Sequence, residues 1–143
     1  MKTLPKRLKV VEYNEKVKEF VTTFVCKQYS DRLLYELNSA KKHDKVIDRF
    51  AHESDKFLDC RYIKNKNSKY DIVQAEKDLK ACGSSSSVLI FSGEKGLFEL
   101  PLSRALLFAY NSYAPCVLIC NSNLAFVKTE SDGSADKILL FKE

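Results

Sequence analysis

Five cysteines and two histidines are the side chains of this chain best suited to nucleophilic or metal chemistry, and their spacing argues against both uses. Cys26, Cys60, Cys82, Cys116 and Cys120 contain no Cys-x-x-Cys pair, and His43 and His52 form no His-x-x-x-His pair. Cys116 and Cys120 share a face if their segment is a strand. Four residues at ~3.3 Å each then set them ~13 Å apart, whereas two thiolates on one zinc lie within about 4 Å of each other. No metal site and no cofactor are expected.

A small Cys/His-dependent enzyme stays open as a second alternative through His43. On a helical projection His43 lies in the middle of an apolar arc with Val46, Ile47 and Phe50, while His52 lies on the opposite, solvated side. The plainer reading, a partly buried histidine held by a backbone carbonyl near a helix start, is preferred. The carboxylate pairs Asp44 with Asp48 and Asp55 with Asp59 are interleaved with Lys45, Arg49, Lys56 and Arg61. They read as a salt-bridged, solvated face rather than an acid/base pair. The stretch from Gly83 to Ser87 lacks Gly-Lys-Ser/Thr and runs from helix into strand, opposite to the order that aims backbone amides at a phosphate.

Binding chemistry is better represented. Lys2, Lys6, Arg7 and Lys9 form one basic cluster; Arg61, Lys64, Lys66 and Lys69, interleaved with Tyr62, Asn65, Asn67 and Tyr70, form another. Cations beside tyrosine and asparagine suit phosphate contacts plus base stacking, although no helix-turn-helix, KH or RNA-recognition signature accompanies them. The charge is lopsided: residues 1–82 hold 19 Lys and Arg against 13 Asp and Glu, while residues 83–143 hold 5 against 6. An acidic partner would meet the first part.

The elements that must position these residues follow from periodicity. Val10, Tyr13, Val17, Phe20, Val21, Phe24 and Val25 recur at steps of three and four, which predicts a helix. Ser30 and Asp31 are placed to cap a second, carrying Leu33, Leu34 and Leu37. Ser39 is placed to cap a third, running to about Leu58 with Val46, Ile47, Phe50, Phe57 and Leu58 inward. Residues 61–69 are polar and basic and read as an exposed loop after a short strand at Cys60 to Ile63. Asp71 to Cys82 reads as a further helix stopped at Gly83.

The period then changes. Val88 to Phe91 and Leu97 to Leu100 make a hairpin around Ser92-Gly93-Glu94-Lys95-Gly96. A helix follows Pro101 over about residues 102–113 and ends before Pro115. Cys116 to Cys120, Leu124 to Thr129 and Ile138 to Phe141 are strands joined by connections too short for parallel neighbours. The expectation is one α+β domain over residues 1–143, its helical N-terminal half packed on one face of an antiparallel sheet of four to five strands. The continuously apolar runs at Val88 and Val117 suggest central strands covered on both faces, with the 102–113 helix as second cover.

Hydrophobic residues make up 45% and charged residues 30% of the 143, an ordinary globular composition. The odd cysteine count and the placement of three cysteines in apolar runs predict reduced thiols and a cytoplasmic protein. Charge and Pro5 interrupt any export segment near Met1, so no membrane partner is expected. The functional expectation is a small binding or regulatory module working through macromolecular contact, with a protein partner or self-association first and nucleic acid as the alternative. The expected binding residues are Arg61, Tyr62, Lys64, Lys66, Lys69 and Tyr70.

Overall fold

In a computed structural model, which describes residues 10–37, 56–92, 96–129 and 135–143, alternate residues of the central strands face two different helical layers. Toward one side point Leu89, Phe91, Val117, Ile119, Ala125, Val127, Ile138 and Leu140, and they pack with Val17, Phe20, Val21, Phe24 and Leu33. These last belong to helices α1 (Val10–Phe24) and α2 (Lys27–Leu37). Toward the other side point Val88, Ile90, Leu118, Cys120, Leu124, Phe126 and Leu139, and they pack with Ala75, Leu79, Leu102, Ala105, Leu106 and Ala109. Those helical residues belong to α3 (Ile72–Ala81) and α4 (Leu102–Asn111). Covering both faces explains why the strands read as unbroken apolar runs instead of alternating ones. The helix expected over 102–113 is α4 and supplies the second cover; α3 joins it there, so that among the described residues two helices take each side.

Among the described residues the sheet has six strands: β1 (Ile63–Asn67), β2 (Ser87–Ser92), β3 (Gly96–Pro101), β4 (Cys116–Asn121), β5 (Leu124–Lys128) and β6 (Lys137–Phe141). Their order is β1-β6-β5-β4-β2-β3, with every neighbouring pair antiparallel. Because β3 and β4 are both antiparallel to β2, they run parallel to each other, and α4 supplies the crossover such a return requires. The architecture is α+β, with one strand more than the expected maximum. No helix among the described residues is long and apolar enough to cross a membrane.

The additional strand is β1, which lies inside the segment expected as a loop. Cys60–Tyr62 is a 3-10 turn rather than a strand, capped by the Asp59 carboxylate, which accepts from the Arg61 N–H. The strand then pairs with β6, Ile63 opposite Leu140 and Asn67 opposite Lys137. The helix expected to start at Ser30 starts at Lys27 instead. Residues 25 and 58 form an isolated bridge that fixes the chain just before it, and the Tyr29 and Ser30 N–H groups donate to the Cys26 carbonyl. The third expected helix, with His43 and His52, lies outside the described residues except at its end, where Lys56 and Phe57 are helical.

α3 ends as its sequence dictates. Asp71 caps its start, accepting from the N–H groups of Val73 and Gln74 at 3.1 and 3.2 Å. At its end Gly83 adopts φ +93°, and the Gly83 and Ser84 N–H groups donate to the Lys80 and Leu79 carbonyls. This paired arrangement needs a left-handed residue, which glycine supplies without a Cβ penalty.

The α3–α4 side of the core holds several titratable groups, and their shifts set a pH window. Burial pushes the Cys120 thiol up from 9.0 to about 12 and the Tyr110 hydroxyl up from 10.0 to about 12. It raises Tyr70 too, with the hydrogen bond to Asp78 as the next cause. For each, folding favours the protonated form, so the stability it contributes is whole below the unfolded value and lost as pH rises through the folded one. Lys128 works oppositely. Its ammonium, which donates to the Ser112 carbonyl at the end of α4, is disfavoured by burial, so folding gains from its neutralisation as pH climbs. Three groups outweigh one, and the thermal midpoint is expected to fall steadily between pH 9.0 and about 12. Melts across that range check this; a flat or rising midpoint would contradict it.

Candidate binding edge

β1 is one outer strand of the sheet, and among the described residues no strand pairs with its outer side. Ile63 is half-buried and packs against the α1–α2 core, while Lys64, Asn65, Lys66 and Asn67 are exposed. The pairing shifts register between Ile63 and Asn65: these two residues oppose Leu140 and Leu139, so Lys64 is an extra residue in a bulge. That bulge turns Lys64 toward the end of β6.

There the chain forms an open groove of about 560 Å³ lined by Arg61, Tyr62, Lys64, Phe141, Lys142 and Glu143. Three cations stand over two rings. The Arg61 guanidinium lies 5.3 Å and Lys142 Nζ 5.6 Å from the Tyr62 ring centroid, and Lys64 Nζ lies 5.1 Å from that of Phe141. Tyr62 is held from behind by Phe24, which meets it edge-on at 6.0 Å. Contacts of this kind place the cations without neutralising them.

Arg61 differs from the two lysines. Its Nε and Nη2 donate to the Asp59 carboxylate at 3.1 and 2.7 Å, a two-pronged ion pair. The hydrogen bond to Asp59 raises the Arg61 pKa, and the same bond holds the Asp59 carboxyl below its ordinary value. Its charge is therefore partly answered within the protein. Among the described residues Lys64 and Lys142 make no ion pair.

The other expected binding residues are placed differently. Lys66 is exposed along β1, opposite Ile138. Lys69 is exposed in the turn after it, where its N–H donates to Asn67 Oδ1 at 2.9 Å. Tyr70 is turned inward: it is 5% exposed, its ring lies 5.8 Å from that of Phe126, and its hydroxyl donates to Asp78 Oδ2 at 2.5 Å. It supports the core beneath α3 and presents no ring to a ligand. His43 and the cluster Lys2, Lys6, Arg7 and Lys9 lie outside the described residues.

Phe141, Lys142 and Glu143 join the site without having been singled out in the sequence. Only the pairing of β6 with β1 brings them to Tyr62. Away from this edge, Tyr35 on α2 and Tyr113 after α4 are 69% and 81% exposed. All five cysteines are thiols, Cys116 and Cys120 buried, Cys26 and Cys82 half-buried and Cys60 exposed.

Chemically, the edge offers backbone hydrogen-bonding groups beside a cluster of cations with apolar stems and rings. Comparison with family models, with curated proteins and with solved structures gives no match.

Proposed function

We propose that this protein is a binding module that acts through contact with another protein, taking an acidic, extended segment of that partner along the outer side of β1. The observation that carries the reading is the groove in which Arg61, Lys64 and Lys142 gather over Tyr62 and Phe141 at the end of an outer strand. An outer strand presents a row of N–H and C=O groups, and an added strand gains affinity from main-chain hydrogen bonds. Lysines along that row repel a second copy carrying the same lysines, yet favour carboxylates placed opposite them. Each such pair contributes roughly 0.2–1 kcal/mol.

Nucleic acid fits less well. Base stacking needs an uncovered ring, and Arg61 and Lys142 already stand over Tyr62, which leaves mainly phosphate contacts. The cytosol is the compartment that suits five thiols, two of them in the core.

The test is fluorescence anisotropy with a labelled peptide of alternating Glu and Val, about eight residues long, at low and at physiological salt. Binding that weakens with salt and exceeds that of a single-stranded oligonucleotide of equal charge is the expected result. Tighter binding of the oligonucleotide would transfer the site to nucleic acid, and no binding of the peptide at low salt would remove the reading.

A further inference from the structure

Lys142 stands one residue beyond β6, yet its main chain is held on both sides. Its N–H donates to the Asn123 carbonyl at 3.0 Å, and its carbonyl accepts from Asn123 Nδ2 at 2.8 Å. Leu124 opposes Phe141 in the β5–β6 pairing, so Asn123 and Lys142 fall opposite each other at the next position. A regular antiparallel pair there would exchange two main-chain hydrogen bonds. Only one of the two is main chain here. The Asn123 N–H is diverted into the turn between β4 and β5, where it donates to Asn121 Oδ1 at 2.9 Å, and the Asn123 side-chain amide takes its place at the Lys142 carbonyl. Asn121 is anchored in turn, since its Nδ2 donates to the Gly83 carbonyl at 2.7 Å beyond the end of α3.

Resting on the docking proposed above, we infer that Asn123 is a positioning residue of the binding edge: its side-chain amide carries the β5–β6 ladder one residue further and so holds Lys142 at the groove, where the ammonium stands over Tyr62 and meets a carboxylate of the bound segment. The three cations are then fixed by three devices. Arg61 is held by the Asp59 carboxylate, Lys64 by the bulge in β1, and Lys142 by Asn123. Lys142 has the greatest need of one, because the strand before it has ended. A residue free to sample many positions must be ordered when the segment binds, and that ordering costs affinity. Few side chains could replace the amide: alanine has no donor, and aspartate, of nearly the same shape, only accepts.

The experiment is a double-mutant cycle read by anisotropy with the alternating Glu–Val peptide at low salt. Lys142→Ala is expected to weaken binding about fivefold and Asn123→Ala about threefold. On the Lys142→Ala background, Asn123→Ala should cost less than about twofold, because its effect passes through the lysine. A purely structural role for Asn123 would instead weaken binding equally on both backgrounds. Equal losses, or no loss from Asn123→Ala on the unaltered protein, would overturn the inference and leave the docking in place.

Amide hydrogen exchange supplies a readout that needs neither peptide nor variant. The Lys142 amide of the unaltered protein is expected to exchange at least about tenfold more slowly than an unprotected amide. Exchange at the unprotected rate would overturn the inference even if Asn123→Ala failed to fold. No binding of the peptide to the unaltered protein would overturn the docking itself, and this inference with it.

Discussion

Reversing two charges at the strand edge, Lys64→Glu together with Lys142→Glu, is expected to weaken binding of the acidic peptide about a hundredfold. Both lysines are exposed, and among the described residues neither has an internal carboxylate to answer it. Each reversal removes an attraction and installs a repulsion at a close contact, and a factor of ten per site corresponds to about 1.4 kcal/mol. Folding should be little affected, because each lysine gives up one exposed cation–π contact worth about 0.5–1 kcal/mol. The matched control is Lys18→Glu with Lys77→Glu, on the exposed sides of α1 and α3. It changes the net charge by the same amount and should leave affinity within about twofold, since screened, distant charges act weakly. Equal losses for the two double variants would mean that net charge, not the edge, attracts the peptide.

The largest effect on stability is expected from Phe126→Ala, about 3–5 kcal/mol by urea unfolding. Phe126 is fully buried on β5 and faces the α3–α4 layer. Its ring is stacked against Tyr110 at 6.1 Å and tilted against Tyr70 at 5.8 Å. Those tyrosines are themselves fixed: the Tyr110 hydroxyl donates to the Tyr70 carbonyl at 2.7 Å, and the Tyr70 hydroxyl donates to Asp78. A network held this way cannot collapse far into the space left by a lost ring, so most of the cavity cost would remain. A loss under about 1 kcal/mol would show that this layer is loosely packed.

Much of the architecture could be read from the sequence because the relevant signals are local. The three-and-four spacing of Val17, Phe20, Val21 and Phe24 marks a helix face, and all four are buried. Gly83 marks a helix stop by its backbone freedom, and Pro101 marks a helix start by lacking the N–H that position does not need. β1 carries no such signal. It is exposed along most of its length, its Lys and Asn have low strand propensity, and it is a strand because β6, some seventy residues later, pairs with it.

The site divides along the same line. Arg61, Tyr62 and Lys64 are neighbours in the chain, and the grouping of cations with an aromatic is visible by eye. Tyr70 looks equivalent in sequence yet turns inward, because it follows the turn at Ser68 and Lys69 and lies where α3 crosses the sheet. Phe141 and Lys142 carry no mark of their own at the end of an apolar strand. Their place beside Tyr62 is set by strand order, which local patterning does not encode.

The central claim is that a partner segment is held along the outer side of β1. Its most direct measurement is the backbone amide spectrum of isotopically labelled protein as the alternating Glu–Val peptide is added. Shifts concentrated in residues 61–67 and at Phe141 and Lys142 are the predicted result. Shifts concentrated along β3 at the opposite edge, or on the helices, with residues 61–67 unmoved, would contradict it.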